Sequence, residues 1–251
     1  MHHPSTPSRP RAARLARSSW ILGLCLVAAA AGAGILQAER PHAAPAAAPP
    51  RPELDLGRSE LYDYDPPEPG TYELPVLKTA ADGEVLDTAG QPRRLRSLMA
   101  GRVTILSFIY LRCASPKACP YATGVLGQIH GITRKDPVLA RDLQLITMSF
   151  DPEHDTPARM AAYGDLFRGR DGADWRFLTT QGEQALKPIL RAYDQTVDRK
   201  ANMNDPLGPF YHPVRVYLID RQGRIRNIYS FGMLDPRMLI ADVRTLIAES
   251  K

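Results

Sequence analysis

Apolar and polar positions alternate along the chain in two distinct rhythms. Val103-Thr-Ile-Leu-Ser-Phe-Ile-Tyr-Leu111 is a continuous apolar run rich in β-branched and aromatic residues, the pattern of a buried strand. Leu143 to Phe150 repeats it, Trp175 to Thr180 gives a third strand, and Val214–Asp220 with Arg224–Phe231 form a hairpin turning at Gln222-Gly223. Between them the spacing becomes helical. Tyr121, Val125 and Ile129 mark a helix opening at Pro120, and Met160, Tyr163 and Phe167 mark one opening at Thr156 or Pro157. Glu183–Tyr193 reads as a helix with a kink or late start at Pro188, and Pro236–Glu249 as a closing amphipathic helix. Leu74 to Leu98 reads as short strands broken by turns at Ala81-Asp-Gly83 and Ala89-Gly-Gln-Pro92. Strands alternating with helices, then a hairpin, predict an α/β sandwich: a central mixed sheet flanked by helices.

Ahead of this body, the pattern divides the chain further. Residues 1–19 form a basic N-terminus, and Trp20 to Leu36 are 17 residues without a charge. A basic end before such a run is either a membrane anchor or a secretory signal, and both put the body outside the cytoplasm. The anchor is the favoured reading; Ala31-Gly32-Ala33 is the cleavage alternative. Residues 37–70, rich in Ala and Pro, suit an extended, semi-stiff tether. Residues 71–251 are enough for one domain with its own core. Charge adds little. Four of the formal +5 come from Arg9, Arg11, Arg14 and Arg17, so the body carries no basic excess and nucleic acid is set aside as a partner.

The candidate chemistry lies in Cys113-Ala-Ser-Pro-Lys-Ala-Cys119-Pro120, between the first core strand and its helix. Pro120 suits a first helical turn, so Cys119 falls at or beside the N-cap, where unpaired N–H groups and the helix dipole favour thiolate. In one continuous helix, cysteines six apart would lie about 120° around the axis and roughly 9 Å along it. Such a pair neither bridges nor shares a metal, so Cys113 is expected on a loop folded back by Pro116. The plainer alternatives are a structural disulfide or two unrelated buried thiols. Cys25, the third cysteine, reads as an apolar residue of the 20–36 segment. A redox-type cysteine loop at this place suggests the thioredoxin fold.

From Leu74 to Ile247 the chain resembles the Sco/SenC family, thioredoxin-like copper proteins that assemble cytochrome oxidase. Four features carry the resemblance: Gly101 to Tyr110 before a Cys…Cys-Pro; Asp151-Pro-Glu-His-Asp-Thr-Pro157 after a strand; His212 just ahead of Val214–Asp220; and the basic end, apolar segment and tether. Two features depart from it. The family usually has three residues between the cysteines, where this chain has five, and its histidine usually follows Asp, where Tyr211 precedes His212 here. The resemblance implies that Cys113, Cys119 and His212 bind copper. The ligand chemistry agrees, since thiolates suit Cu(I) and imidazole accommodates Cu(II) as well, whereas tetrahedral zinc lacks an obvious fourth ligand.

Other residues receive plainer expectations. His154 bonds within its loop, His130 lies on a helix surface, and Met203 has a solvent or packing role. Asp155 N-caps the helix at Pro157, and Asp151 ends its strand in a turn. Three functions follow. The first is a copper-binding assembly factor serving an extracytoplasmic copper-protein client, such as a cytochrome oxidase subunit, with the membrane reached through residues 20–36. The second is a thiol–disulfide oxidoreductase in which Cys113 and Cys119 cycle. The third, a peroxidase, is weakest, because no Pro-x-x-x-Thr-x-x-Cys pattern precedes Cys113.

Overall fold

A computed structural model describes residues 62–169 and 171–249. The basic stretch 1–19, the apolar segment 20–36 and the tether up to residue 61 lie outside the described residues. Among the described residues no helix is long and apolar enough to cross a membrane.

The two longest apolar runs form the middle of the sheet. β4 (Val103–Ile109) and β5 (Leu143–Ser149) pair in parallel from Val103↔Leu143 to Ile109↔Ser149, and every residue of both is buried. Burial on both faces explains why these segments lack apolar–polar alternation. β6 (Asp174–Leu178) extends the parallel side, and β9 (Arg215–Ile219) runs antiparallel on the other flank of β4. β10 (Arg224–Ser230) and β1 (Lys78–Thr79) complete the order β1-β10-β9-β4-β5-β6. Gly223 turns the β9–β10 hairpin at φ 77°, and the Asp220 carboxylate accepts from the N–H groups of Gln222 (3.0 Å) and Arg224 (2.9 Å).

Helices cover both faces, and successive strand residues sort between them. Val103, Ile105, Leu143, Leu145, Trp175, Val216 and Leu218 join a core with α2 (Cys119–Thr133), α4 (Pro157–Asp165) and α6 (Pro236–Glu249). Leu106, Phe108, Ile146, Met148, Tyr217 and Ile219 join a second core with α1 (Leu95–Met99) and α5 (Glu183–Ala192). Each fully buried aliphatic side chain stabilises the fold by roughly 1.5–3 kcal/mol. This three-layer arrangement is the thioredoxin-like sandwich expected from the sequence.

Several local expectations are refined. α5 begins at Glu183 without delay and carries exposed Pro188 inside it. The ring removes the donor that would reach the Gln184 carbonyl and crowds it, a cost eased by the exposure of both residues to solvent. α1 and α3 (Pro137–Asp142) are additional short helices. A further hairpin pairs β7 (Asp198–Arg199) with β8 (Phe210–Tyr211), and β2 (Glu84–Leu86) pairs with β3 (Pro92–Arg94). The end of the tether straps onto the domain. The Tyr62 hydroxyl lies 2.9 Å from that of Tyr121 in α2, and Arg237 of α6 donates to the Tyr62 carbonyl (3.3 Å) with its guanidinium over the Tyr64 ring.

Candidate metal and thiol site

β4 runs out at Ile109 because the chain must turn toward α2, and the turn is held from outside. The Leu111 N–H donates to Asp155 Oδ2 (3.0 Å), which also accepts from the Ser149 hydroxyl (2.6 Å). Arg112 reaches Asp151 Oδ2 (2.8 Å), and His154 Nδ1 lies 2.9 Å from Asp151 Oδ1. His154 thus bonds within its loop as expected. The expectation for Asp155 is corrected. Thr156 is the N-cap of α4, its hydroxyl accepting from Arg159 N–H (3.4 Å), while Asp155 is fully buried and grips the strand exit two residues before Cys113. Asp151 likewise does more than end a strand, since its buried carboxylate is shared by Arg112 and His154. Burial pushes the Asp155 carboxyl up, with the Ser149 and Leu111 hydrogen bonds opposing.

Beyond Arg112 the loop folds back. Cys113 N–H donates to the Tyr110 carbonyl (3.3 Å), Ala118 N–H to that of Ser115 (3.1 Å), and α2 opens at Cys119 with Pro120 in its first turn. Both cysteines are buried, and no disulfide joins them. His212 arrives from the other side, just past β8 and ahead of β9. The structure brings all three together: one ligand atom of each of Cys113, Cys119 and His212 lies within 4.8 Å of the others. Cys119 Sγ is 3.6 Å from His212 Nε2. Met203 stays exposed in the 200–209 loop. His130, expected on a helix surface, is instead buried against Trp175 (ring centroids 5.5 Å apart), and burial first, then Arg134, lowers its pKa.

The two sulfurs are not equivalent. Cys113 falls well below the ordinary thiol range: Cys119 hydrogen-bonds its sulfur, overcoming the opposing burial, and His212 and the backbone N–H groups of Cys119 and Ser115 assist. Cys119 moves upward, first by its deeper burial and then through the same pairing with Cys113. The pair therefore releases one proton readily and holds the other. This reverses the expectation from the helix start, where Cys119 was to be the thiolate. Desolvation outweighs the dipole at that sulfur.

Sequence reasoning missed the aromatic lining. His212 packs against Phe150 (4.9 Å between ring centroids) and Tyr110 (5.6 Å), with Phe210 5.1 Å from Tyr110. The Tyr110 hydroxyl is pushed upward by burial, then by the neighbouring Cys113 sulfur. The available signal was Tyr110 and Phe150 closing two adjacent apolar runs beside the cysteine loop. As a donor set, two buried thiol sulfurs and one half-buried imidazole converging on one point fit a soft metal ion bound through three ligands.

No curated protein sequence matches the chain. Solved structures do. A SCO1/SenC family lipoprotein from Bacillus anthracis superposes with TM-score 0.58 at 22% identity, covering 69% of this chain and 97% of that one. Bradyrhizobium japonicum ScoI, solved with copper bound, gives 0.55 at 22% identity, covering 67% and 99%. BsSco, described as a member of the Sco family of cytochrome c oxidase assembly proteins with a disulfide switch, gives 0.56 at 20% identity, covering 70% and 98%. These likenesses establish the thioredoxin-like fold. The SCO1/SenC family model matches residues 77–248, a stretch that takes in the cysteine loop, the Asp-Pro turn and His212, and on that match the chain belongs to the SCO1/SenC family.

Proposed function

We propose that this protein is a copper-binding assembly factor. It holds copper through Cys113, Cys119 and His212 and delivers it to, or prepares the site of, an extracytoplasmic copper protein such as cytochrome c oxidase. The observation that carries the reading is the convergence of two sulfurs and an imidazole nitrogen within 4.8 Å, in a chain of this family. Two thiolates suit Cu(I), and the imidazole extends the set toward Cu(II). Three ligands leave a coordination position through which a client's own ligand can enter. Copper bound to Bradyrhizobium japonicum ScoI supports the choice of metal. Anaerobic titration of the reduced full-length chain with Cu(I) and Cu(II) tests it: one ion per chain is expected, and Cys113→Ser or Cys119→Ser removes tight Cu(I) binding. A chain that binds neither ion refutes it.

A second reading draws on the unequal sulfurs. The Cys113 thiolate would attack a client disulfide, releasing one client thiolate and forming a mixed disulfide. Cys119 would then displace the second client thiol and leave Cys113–Cys119 oxidised, so two electrons pass to the client. His212→Ala separates the readings, because it weakens Cu(II) binding and leaves a dithiol exchange in place.

The 20–36 segment is proposed as an uncleaved anchor that keeps the domain outside the cytoplasm. The 17 residues without a charge behind the arginine-rich start support this reading. Finding the mature protein soluble, with its N-terminus beyond Ala33, rejects the anchor.

A further inference from the structure

The imidazole of His212 is oriented in an unusual way for a metal ligand. A ligating histidine ordinarily donates its second ring N–H to a carboxylate or carbonyl, which fixes the plane of the ring. Here Nε2 lies beside Cys119, while Nδ1 is buried with no hydrogen-bond partner among the described residues. What holds the ring is aromatic packing. Phe150 meets it tilted by 58° at 4.9 Å, and Tyr110 meets it edge-on, at 85° and 5.6 Å.

Tyr110 is the more informative of the two walls because it is tied to both ligand loops. Its carbonyl accepts from Cys113 N–H (3.3 Å), and its hydroxyl donates to the Leu207 carbonyl (3.4 Å). The 207–208 backbone comes so close that a Cβ on Gly208 would lie 2.0 Å from the Tyr110 hydroxyl oxygen, and Gly208 sits at φ 101°, where side chains are strained. Phe210 closes the third side of Tyr110 at 5.1 Å. One side chain thus spans from the cysteine loop to the segment that delivers the histidine.

We propose that Tyr110 is a positioning residue of the metal site, its ring fixing the plane of His212 in place of the missing hydrogen bond at Nδ1. The proposal rests on the copper reading of the site. It assigns separate tasks to the parts of the side chain: the ring orients the imidazole, and the hydroxyl fastens the 200–209 loop.

The test compares Tyr110→Leu, which removes the ring, with Tyr110→Phe, which removes only the hydroxyl, in the reduced full-length chain. Tyr110→Leu is expected to weaken Cu(II) binding about 10- to 100-fold, the range for losing a partner that orients a ligand. It should also alter the thiolate-to-Cu(II) absorption and the paramagnetic resonance spectrum, while Cu(I) binding, carried by the sulfurs, stays at the parent level. Tyr110→Phe should restore the parent Cu(II) spectrum. In the metal-free protein, the His212 ring-nitrogen resonances should be narrow in the parent and in Tyr110→Phe, and broadened in Tyr110→Leu. Parent-like Cu(II) affinity and spectrum in Tyr110→Leu overturn the proposal, as do equal losses of Cu(I) and Cu(II) binding. If Tyr110→Leu does not fold, Tyr110→Met, which also lacks the ring but fills more of its space, carries the same expectations. A parent that binds no copper refutes the copper reading instead, and the metal-free resonances then decide whether Tyr110 seats His212.

Discussion

Strand β4 and the ten residues that follow it are held in opposite ways. From Val103 to Ile109 every side chain is buried, one parallel and one antiparallel neighbour complete the backbone pairing, and both helical layers press on the strand. No single contact is indispensable there. From Tyr110 to Cys119 the chain depends on a handful of individual links: Asp155 to Leu111, Arg112 to Asp151, Tyr110 to the 207–208 backbone. The strand is specified by redundant, non-directional burial. The cysteine loop also buries Tyr110, Cys113 and Cys119, but its path is specified by directional bonds to a few carboxylates and carbonyls. Stability and site geometry therefore reside in different residues, and substitutions should separate them.

The largest stability effect belongs in the strand. Leu106→Ala removes a fully buried side chain from the α1–α5 core and should cost about 2–5 kcal/mol in denaturant unfolding. Metal binding by the remaining folded protein should be unchanged. Loss of binding without loss of stability would break the comparison. Asp155→Ala comes next, at about 1–3 kcal/mol, because the Leu111 N–H and Ser149 hydroxyl lose their acceptor. Unlike Leu106→Ala it should also loosen the cysteine loop, read as faster alkylation of Cys113 in the metal-free chain.

The pH dependence sharpens the loop side. A thiol whose pKa is lowered is already thiolate below the ordinary range, so Cys113 should be alkylated by iodoacetamide at pH values well under 8.5. Cys119, shifted upward, should remain unmodified through the same window. Mass spectrometry of the two peptides reads this directly, and preferential labelling of Cys119 would reverse the assignment. The smallest effect is expected from Thr156→Ala, which removes the α4 cap for about 1 kcal/mol and leaves Asp155 and the site in place. A site defect there would return the capping role to the neighbourhood of Asp155.

How far the sequence revealed all this follows the same division. Burial leaves a periodic trace, so β4, β5, β9, β10, α2 and α6 were legible from apolar spacing alone. α1 and α3 were not, because five or six residues are too few to show a period; yet α3 carried its start signal, Asp136 before Pro137, whose carboxylate accepts from Val138 and Leu139 N–H. Directional contacts leave no such trace. Asp155 stands immediately before a Thr-Pro helix opening, and local spacing made it a cap; its bond to Leu111, 44 residues away, belongs to the fold. Cys113, Cys119 and His212 were legible as a group through the family resemblance. The direction of the two thiol shifts was not, because it depends on how deeply each sulfur is buried.

Copper K-edge X-ray absorption on the anaerobically loaded full-length chain tests the central claim most directly, because it counts the donor atoms. The account predicts two sulfur neighbours near 2.3 Å, taking the zinc–thiolate distance as a guide, together with imidazole scattering that His212→Ala removes. A spectrum with no paired sulfur shell, or imidazole scattering that survives His212→Ala, would contradict it.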